Sequence, residues 1–214
     1  MAHPLILAFD TSAAHCAAAL LSGDHLLALR NEPMDKGQAE RLVPLLEEVL
    51  ALGGATWADL DALAVGTGPG NFTGVRIAVA AARGLSLGLG IPAIGVTRLE
   101  ALAHGLPRPV TVIEDARRGE VYVQRFDAGH AHAAHLATAP VTAAGDVTGS
   151  GAGDAALPAL FSLTEAIARI AAGRIGQPHT RPAPFYLRGA DAAPPADPPP
   201  VLLPDPILPQ AGQT

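Results

Sequence analysis

The residues best suited to hold a ligand stand at the end of the first apolar run of the chain. Residues 5–9 are continuously apolar, and Asp10, Thr11 and Ser12 follow directly. Carboxylate and hydroxyl oxygens suit phosphate groups and hard cations such as Mg²⁺. Thr11 and Ser12 could equally satisfy backbone groups where a strand ends. The three residues are therefore candidate cofactor ligands, with a structural role as the alternative.

A second candidate is the glycine-rich stretch between an apolar strand at residues 60–65 and a helix near residues 74–88. Gly68, Gly70 and Gly74 lie in the turn. A strand, a glycine turn and a helix N-terminus together can cradle a phosphate. The spacing matches neither G-x-x-x-x-G-K-[ST] nor G-x-G-x-x-G, the two common nucleotide motifs. We interpret these glycines as a structural loop.

The helix after this turn carries small residues at a regular interval. Arg76, Ala80, Gly84 and Gly88 recur every four residues and share one stripe. A glycine inside a helix costs about 1 kcal/mol relative to alanine, so Gly84 calls for a compensating contact. Close approach of another backbone would supply it, either from the chain's own sheet or from another subunit.

The preceding helix, predicted at residues 38–52, has an unusually wide apolar face. Its apolar positions cover about half of the circumference at 100° per residue, more than the stripe that covers a single core face. The pattern predicts burial on two sides, with Pro44 as a kink. The predicted partner contacts on this helix are Leu42, Leu45, Leu46 and Val49.

Other candidate chemistry is weaker. His130, His132 and His135 form an H-x-H-x-x-H cluster in a predicted loop with no evident supporting partners, so we expect no metal site there. No G-x-S-x-G elbow of the kind that carries a hydrolase nucleophile is predicted, because the residues that match this spacing, at 84–88, lie inside the predicted helix and not at a strand-to-helix turn.

Composition limits the partners. Only 16% of the 214 residues are charged and the formal net charge is −6, which disfavours binding of a polyanion such as tRNA by this chain alone. The single cysteine, Cys16, excludes an intrachain disulfide. No basic leader precedes the first apolar run, and no 18 residues are continuously apolar. We therefore expect a cytoplasmic chain with no membrane contact.

The order of elements predicts a mixed sheet followed by a second, smaller unit. Three strands in succession, at residues 5–9, 16–21 and 25–30, argue against a Rossmann opening. After the two helices come a strand at 91–96 and a short helix at 98–104. Strands at 110–114 and 121–126, a glycine turn at 147–153 and a helix at 164–172 follow. We divide the chain at residues 1–106, 107–191 and 192–214, the last being a proline-rich, extended tail.

Four blocks in order, DTS at 10–12, GPGNFTGVR at 68–76, EDARRGEVY at 114–122 and FYLRGADAA at 185–193, resemble the TsaB (YeaZ) family. The resemblance runs from residue 5 to residue 193 and is strongest before residue 105. It implies an α/β, actin/Hsp70/hexokinase-like (ASKHA) fold of two lobes with mixed sheets. The second lobe looks shortened between residues 153 and 164. Residues 10–12 and 115–119 would be the corresponding turns of the two lobes, where active relatives hold phosphates.

The resemblance also implies a function. The family acts in tRNA threonylcarbamoyladenosine formation, where the catalytic paralogue TsaD transfers a threonylcarbamoyl group to N6 of adenosine 37 in tRNAs reading ANN codons. A TsaB subunit binds and activates TsaD through the two helices near 38–52 and 74–88, with the ATPase TsaE as a third component. ATP, ADP and metal are expected in the partner subunits, tRNA only through the complex, and a homodimer through the same helices.

The catalytic paralogue has two metal-binding histidines four residues apart, and here the matching positions are Arg98 and Leu102. Neither residue suits such a metal. The resemblance therefore implies a non-catalytic subunit with no metal and no cofactor of its own. Two other functions stay open: an autonomous ASKHA-type ATPase or phosphotransferase that uses Asp10–Ser12, and a metal-dependent peptidase.

Overall fold

The computed structural model describes residues 3–188, and two mixed β-sheets form its framework. The predicted tail at residues 192–214 lies outside the described residues. The first sheet consists of β1 (Leu5–Asp10), β2 (His15–Ser22), β3 (His25–Pro33), β4 (Ala62–Gly66) and β5 (Ala93–Val96). Its strand order is β3-β2-β1-β4-β5. The first three strands are antiparallel, and β4 and β5 run parallel to β1.

Four helices accompany the strands: α1 (Gln38–Leu52), α2 (Phe72–Leu89), α3 (Arg98–Ala103) and α4 (Leu163–Ala172). Side chains of β1 alternate between the two faces of the sheet. Leu7 and Phe9 pack with α1 and α2 on one face, whereas Ile6 and Ala8 pack with α4 on the other. Coverage of both faces explains why β1 and β4 read as continuous apolar runs.

Helix α1 has the predicted bounds, but its wide apolar face does not form a free surface. Its buried positions are Leu42, Leu45, Leu46, Val49 and Leu50. This i, i+3, i+4, i+7, i+8 pattern describes one stripe against the chain's own sheet. The four predicted partner contacts on α1 are therefore corrected to core residues. The apparent extra width came from Val43 and Leu52, which are exposed.

Helix α2 begins where Asn71 accepts a hydrogen bond from the Gly74 N–H at 2.9 Å, a standard N-cap contact. Val75, Ala78 and Ala82 pack it against the first sheet. Within residues 3–188, α2 is the one helix long and apolar enough, by length and composition alone, to cross a membrane. Core helices of soluble proteins meet the same criterion.

The second sheet consists of β6 (Val110–Asp115), β7 (Glu120–Asp127), β8 (His130–Ala131), β9 (His135–Thr138) and β10 (Asp146–Thr148). Strand β6 pairs with β7 and β10, and β7 also pairs with β8 and β9. Leu99 and Ala103 of α3 pack into the core of this sheet with Val112 and Tyr122.

The second lobe is short, as predicted. Between β10 and α4 the backbone forms no helix or strand, only an isolated bridge from Thr148 to Leu157. Helix α4, although it follows the second sheet in sequence, packs on the first. The architecture confirms the predicted ASKHA-like fold with two mixed sheets, while the domain boundaries at residues 106 and 191 stay predictions.

Candidate functional site

A cleft of about 1020 Å³ separates the two lobes. The first lobe contributes Ser12 and the glycine loop, which we define as residues 66–74. The second lobe contributes the hairpin turn, residues 115–119, between β6 and β7. Five arginines and two acids line the cleft: Arg76, Arg98, Arg117, Arg118, Arg188, Glu114 and Asp115. This cationic excess contrasts with the net charge of −6 for the whole chain.

Asp10 lies below the floor of this cleft and is fully buried. One carboxylate oxygen, Oδ1, accepts hydrogen bonds from the Ser12 N–H and Ser12 Oγ, both at 2.9 Å, and lies 2.7 Å from His15 Nε2. The other oxygen, Oδ2, is buried against Gly66 and has no hydrogen-bond partner in the described part of the chain. Neither oxygen is accessible from the cleft.

Burial by itself would raise the pKa of Asp10. The hydrogen bond with His15, the charges of His15 and Arg98, and the Ser12 N–H together outweigh burial and hold the pKa below its usual value. Asp10 is therefore a buried carboxylate whose negative charge is stabilised by the chain itself.

The glycine loop closes over residues 10–12. Thr11 Oγ1 donates to the Gly74 carbonyl at 2.6 Å, and the Asn71 N–H donates to the Ser12 carbonyl at 2.6 Å. A Cβ at Gly70 or Gly74 would lie under 3.0 Å from the carbonyl oxygen of Ser12 or Thr11. Glycine is required at both positions because backbone approaches backbone.

This packing shows what fills the predicted phosphate cradle. The loop encloses the chain's own 10–12 turn, and of the three candidate cofactor ligands only Ser12 lines the cleft. Thr11 Oγ1 and Asp10 Oδ1 form internal hydrogen bonds, and Asp10 Oδ2 is buried against Gly66. Such a donor set does not fit a Mg²⁺ ion, which needs an accessible carboxylate oxygen.

Arg98, the residue at the first expected ligand position, forms an ion pair across the cleft. Its guanidinium contacts Glu114 Oε1 at 2.8 Å, and the Ser150 N–H donates to Glu114 Oε2 at 2.9 Å. Arg98 Nη1 is buried and has no partner within residues 3–188. Leu102, at the second expected position, packs against the second core. The pair of positions thus carries a structural cation and an apolar side chain.

The hairpin turn has an unusual backbone. Arg117 and Arg118 adopt φ values of +62° and +57°, and Gly119 follows at +75°. Left-handed conformations are costly for residues with a Cβ and concentrate at functional sites and tight turns. The Arg117 N–H donates to Asp115 Oδ1 at 2.9 Å, which stabilises the turn.

The stripe on α2 is exposed from residue 80 onward, whereas Arg76 at its start contacts Phe72 and Tyr186. We define the α2 outer face as Arg76, Ala80, Gly84, Leu87 and Gly88, all exposed. No heavy atom lies within 4 Å of the position of a Cβ at Gly84 or Gly88. Leu87 is 82% exposed, although it is a large apolar side chain. The small residues therefore do not serve packing within the described chain.

The histidine cluster has a simple local arrangement. His132 Nε2 lies 2.6 Å from Asp127 Oδ2, and the rings of His130 and His132 meet edge to face. Within residues 3–188 no three His, Cys, Asp or Glu residues are grouped so that they could hold a metal ion.

Sequence reasoning did not identify two residues of the cleft. Glu114 was assigned to a strand, yet it is the partner of Arg98. Tyr186 was noted as part of a motif, yet it accepts a hydrogen bond from Arg76, 110 residues earlier. The signal in the sequence for Glu114 was that a charged residue stands at the end of an apolar strand.

The sequence of the chain is similar to those of known proteins. The profile of the family described as "TsaD: tRNA N6-adenosine threonylcarbamoyltransferase" matches residues 32–173. The chain is 40% identical over 122 residues to the tRNA threonylcarbamoyladenosine biosynthesis protein TsaB of Escherichia coli, covering 55% of this chain and 52% of that protein. The chain is 39% identical over 123 residues to the protein of the same name in Haemophilus influenzae, which covers 55% of this chain and 51% of that protein. The chain thus matches about half the length of these relatives.

Two solved structures are similar to this chain in fold. A structure described as YeaZ from Pseudomonas aeruginosa superimposes with a TM-score of 0.68 at 29% identity, covering 86% of this chain and all of the other. A Pseudomonas aeruginosa protein described as uncharacterized, with similarity to peptidase YEAZ, superimposes with a TM-score of 0.70 at 28% identity and the same coverage.

Proposed function

The chain belongs to the TsaB (YeaZ) family, and on that premise we propose that it is a non-catalytic activating subunit for tRNA threonylcarbamoyl transfer. It would bind the catalytic paralogue TsaD, which transfers the threonylcarbamoyl group to N6 of adenosine 37 in tRNAs reading ANN codons. TsaE would join as the ATPase. Nucleotide, metal and tRNA would be held by the partners, in the cytoplasm.

The observation that carries this proposal is the α2 outer face. Ala80, Gly84 and Gly88 expose backbone along one side of a helix, and nothing within the described chain covers them. Small residues on a helix face allow the backbone of a second helix to approach closely. Leu87 beside them is 82% exposed and offers an apolar anchor for a partner. A helix of the paralogue, or a second copy of this chain, fits such a face.

The inaccessible carboxylate of Asp10 supports the non-catalytic part of the proposal. A phosphoryl-transfer site needs an acidic oxygen that can reach a metal ion, and Asp10 is committed to Ser12 and His15. Of the two positions that would correspond to metal ligands of the paralogue, Arg98 is paired with Glu114 and Leu102 packs in the second core. An autonomous ATPase or phosphotransferase therefore has less support than an activating subunit.

Gly84→Leu tests the proposed surface. The added side chain enters open space in the free chain, so we expect an unchanged circular dichroism spectrum. In the complex it would separate the helices and weaken TsaD binding about thirtyfold, the factor that corresponds to about 2 kcal/mol. Size-exclusion chromatography with light scattering and titration calorimetry measure this change.

Leu160→Asp is the matched control, because Leu160 is also a large exposed apolar residue but lies against Gly105, after α3. We expect it to leave TsaD binding and modified-tRNA yield unchanged, whereas Leu87→Asp should weaken both. Equal binding by the wild-type protein and the Gly84→Leu variant would contradict the assignment of α2. Absence of any complex with TsaD would contradict the proposed function.

A further inference from the structure

The segment at residues 182–188, which we call the strap, crosses the cleft and contacts both lobes. It enters beside the first sheet, where Pro182 is buried and lies against Gly95 of β5. The Phe185 N–H then donates to the Thr67 carbonyl at 2.8 Å, directly after β4. The backbone of the strap is thereby attached to the end of the glycine loop that follows β4.

The next residue of the strap is attached to α2. Tyr186 Oη accepts a hydrogen bond from Arg76 Nε at 3.0 Å. The rings of Tyr186 and Phe72 lie 5.0 Å apart between centroids, and the Arg76 guanidinium stacks over Phe72 at 3.7 Å. Three side chains from two distant parts of the sequence thus form one stacked cluster at the first turns of α2.

The last two residues of the strap are attached to the second lobe. Leu187 packs against the core cluster that contains Val112 and Tyr122. The Arg188 guanidinium donates to the Ala116 carbonyl at 3.1 Å and forms an ion pair with Glu120. Both contacts hold the hairpin turn, whose left-handed arginines make it a tightly constrained part of the backbone.

We propose that the strap fixes the separation of the two lobes and couples the hairpin turn to the first turns of α2. Four consecutive residues, 185–188, span from the glycine loop to the hairpin turn. A displacement of the hairpin turn would therefore also displace the glycine loop. The Arg98–Glu114 ion pair and the packing of Leu99 and Ala103 into the core of the second sheet also connect the two lobes. The strap adds a further attachment across the cleft, and it is the one that joins the glycine loop to the hairpin turn. This inference concerns the isolated chain and does not depend on its partners.

Arg188→Ala tests the strap by hydrogen exchange in the full chain. The variant loses the charge-assisted bonds to Ala116 and Glu120, and we expect the Ala116 and Glu120 amides to exchange about tenfold faster. The Asn71 amide in the glycine loop should also exchange faster, although it lies on the other lobe. The amides of α4 should keep their rates, because α4 packs on the opposite face of the first sheet.

Arg181→Ala is the matched control, since Arg181 is exposed and makes no hydrogen bond or ion pair within residues 3–188. Tyr186→Phe provides a milder probe that keeps the ring on Phe72 and removes the acceptor for Arg76. A gain in exchange at the hairpin turn and the glycine loop alone supports the strap. A gain confined to the hairpin turn, an equal gain in α4, or no gain overturns it.

A direct distance measurement gives a second readout. Thr73 in α2 and Ala128 after β7 are exposed, and Cys16 is buried. Spin labels at Thr73→Cys and Ala128→Cys therefore report the separation of the lobes by double electron–electron resonance. We expect one narrow distance distribution with the wild-type strap and a broader one with Arg188→Ala. Identical distributions would overturn the proposal.

Discussion

Gly74→Ala is expected to lower the free energy of unfolding by about 3 kcal/mol, whereas Gly84→Ala in the same helix should raise it by up to about 1 kcal/mol. The new Cβ at residue 74 would lie under 3.0 Å from the Thr11 carbonyl oxygen, a backbone atom that cannot rotate away. Residue 84 has open space around it, so only the gain in helix propensity remains. Urea unfolding of both variants measures the difference.

The comparison of Gly74→Ala with Gly84→Ala distinguishes two explanations for the glycines of this helix. If Gly74 served flexibility or ligand approach, alanine would stabilise both positions. The predicted opposite signs follow only if the glycine loop packs against the 10–12 turn in the folded chain. Equal midpoints at an unchanged denaturant slope would contradict this packing. Loss of stability with Gly84→Ala would show that its surroundings are not open.

Helix α1 shows which structural features the sequence could predict and which it could not. The bounds of α1 follow from the 3.6-residue period alone, and prediction and structure agree at Gln38–Leu52. The partner face of α1 was misjudged because Val43 and Leu52 are apolar and exposed. Periodicity shows which residues share a stripe, but it does not separate a wide core face from a narrow one with exposed apolar neighbours.

Parts of the cleft were beyond any local pattern. Arg76 meets Tyr186 and Arg188 meets Glu120 only after the chain has crossed both lobes. Strands β8 and β9 were missed in the weakly patterned segment 128–144, because two and four residues are too few to show alternation. The 10–12 turn was found, yet its role depended on which backbone would pack over it.

Asp10→Ala is expected to cost about 3 kcal/mol of folding stability, because it removes a fully buried carboxylate that accepts hydrogen bonds from the Ser12 N–H and hydroxyl. The variant leaves the buried Ser12 N–H and the partly buried His15 ring nitrogen without their partner. Asp10→Asn keeps the size of the side chain and one carbonyl acceptor, so its cost should be smaller. Chemical unfolding at pH 7 measures both.

The pH dependence of the folding stability tests whether the charge of the Asp10 carboxylate causes this stabilisation. The folded-state pKa of Asp10 lies below its ordinary value of 3.8, so the folded chain binds this proton less readily than the unfolded chain. The stabilisation is complete above pH 3.8 and is lost as the pH falls through the folded-state pKa. The difference between wild type and Asp10→Asn should therefore be constant from pH 7 to about 5 and shrink below about 4.

Asp35→Asn provides the control for net charge, because Asp35 is an exposed carboxylate without a hydrogen bond in the described part of the chain. A gap between wild type and Asp10→Asn that stayed constant down to pH 2.5 would mean that shape, not charge, is responsible. A gain in stability on Asp10→Asn at pH 7 would mean that the carboxylate destabilises the fold. A carboxylate that is unfavourable for the fold would favour a ligand-binding role for Asp10, and the autonomous ATPase would regain support over the activating subunit.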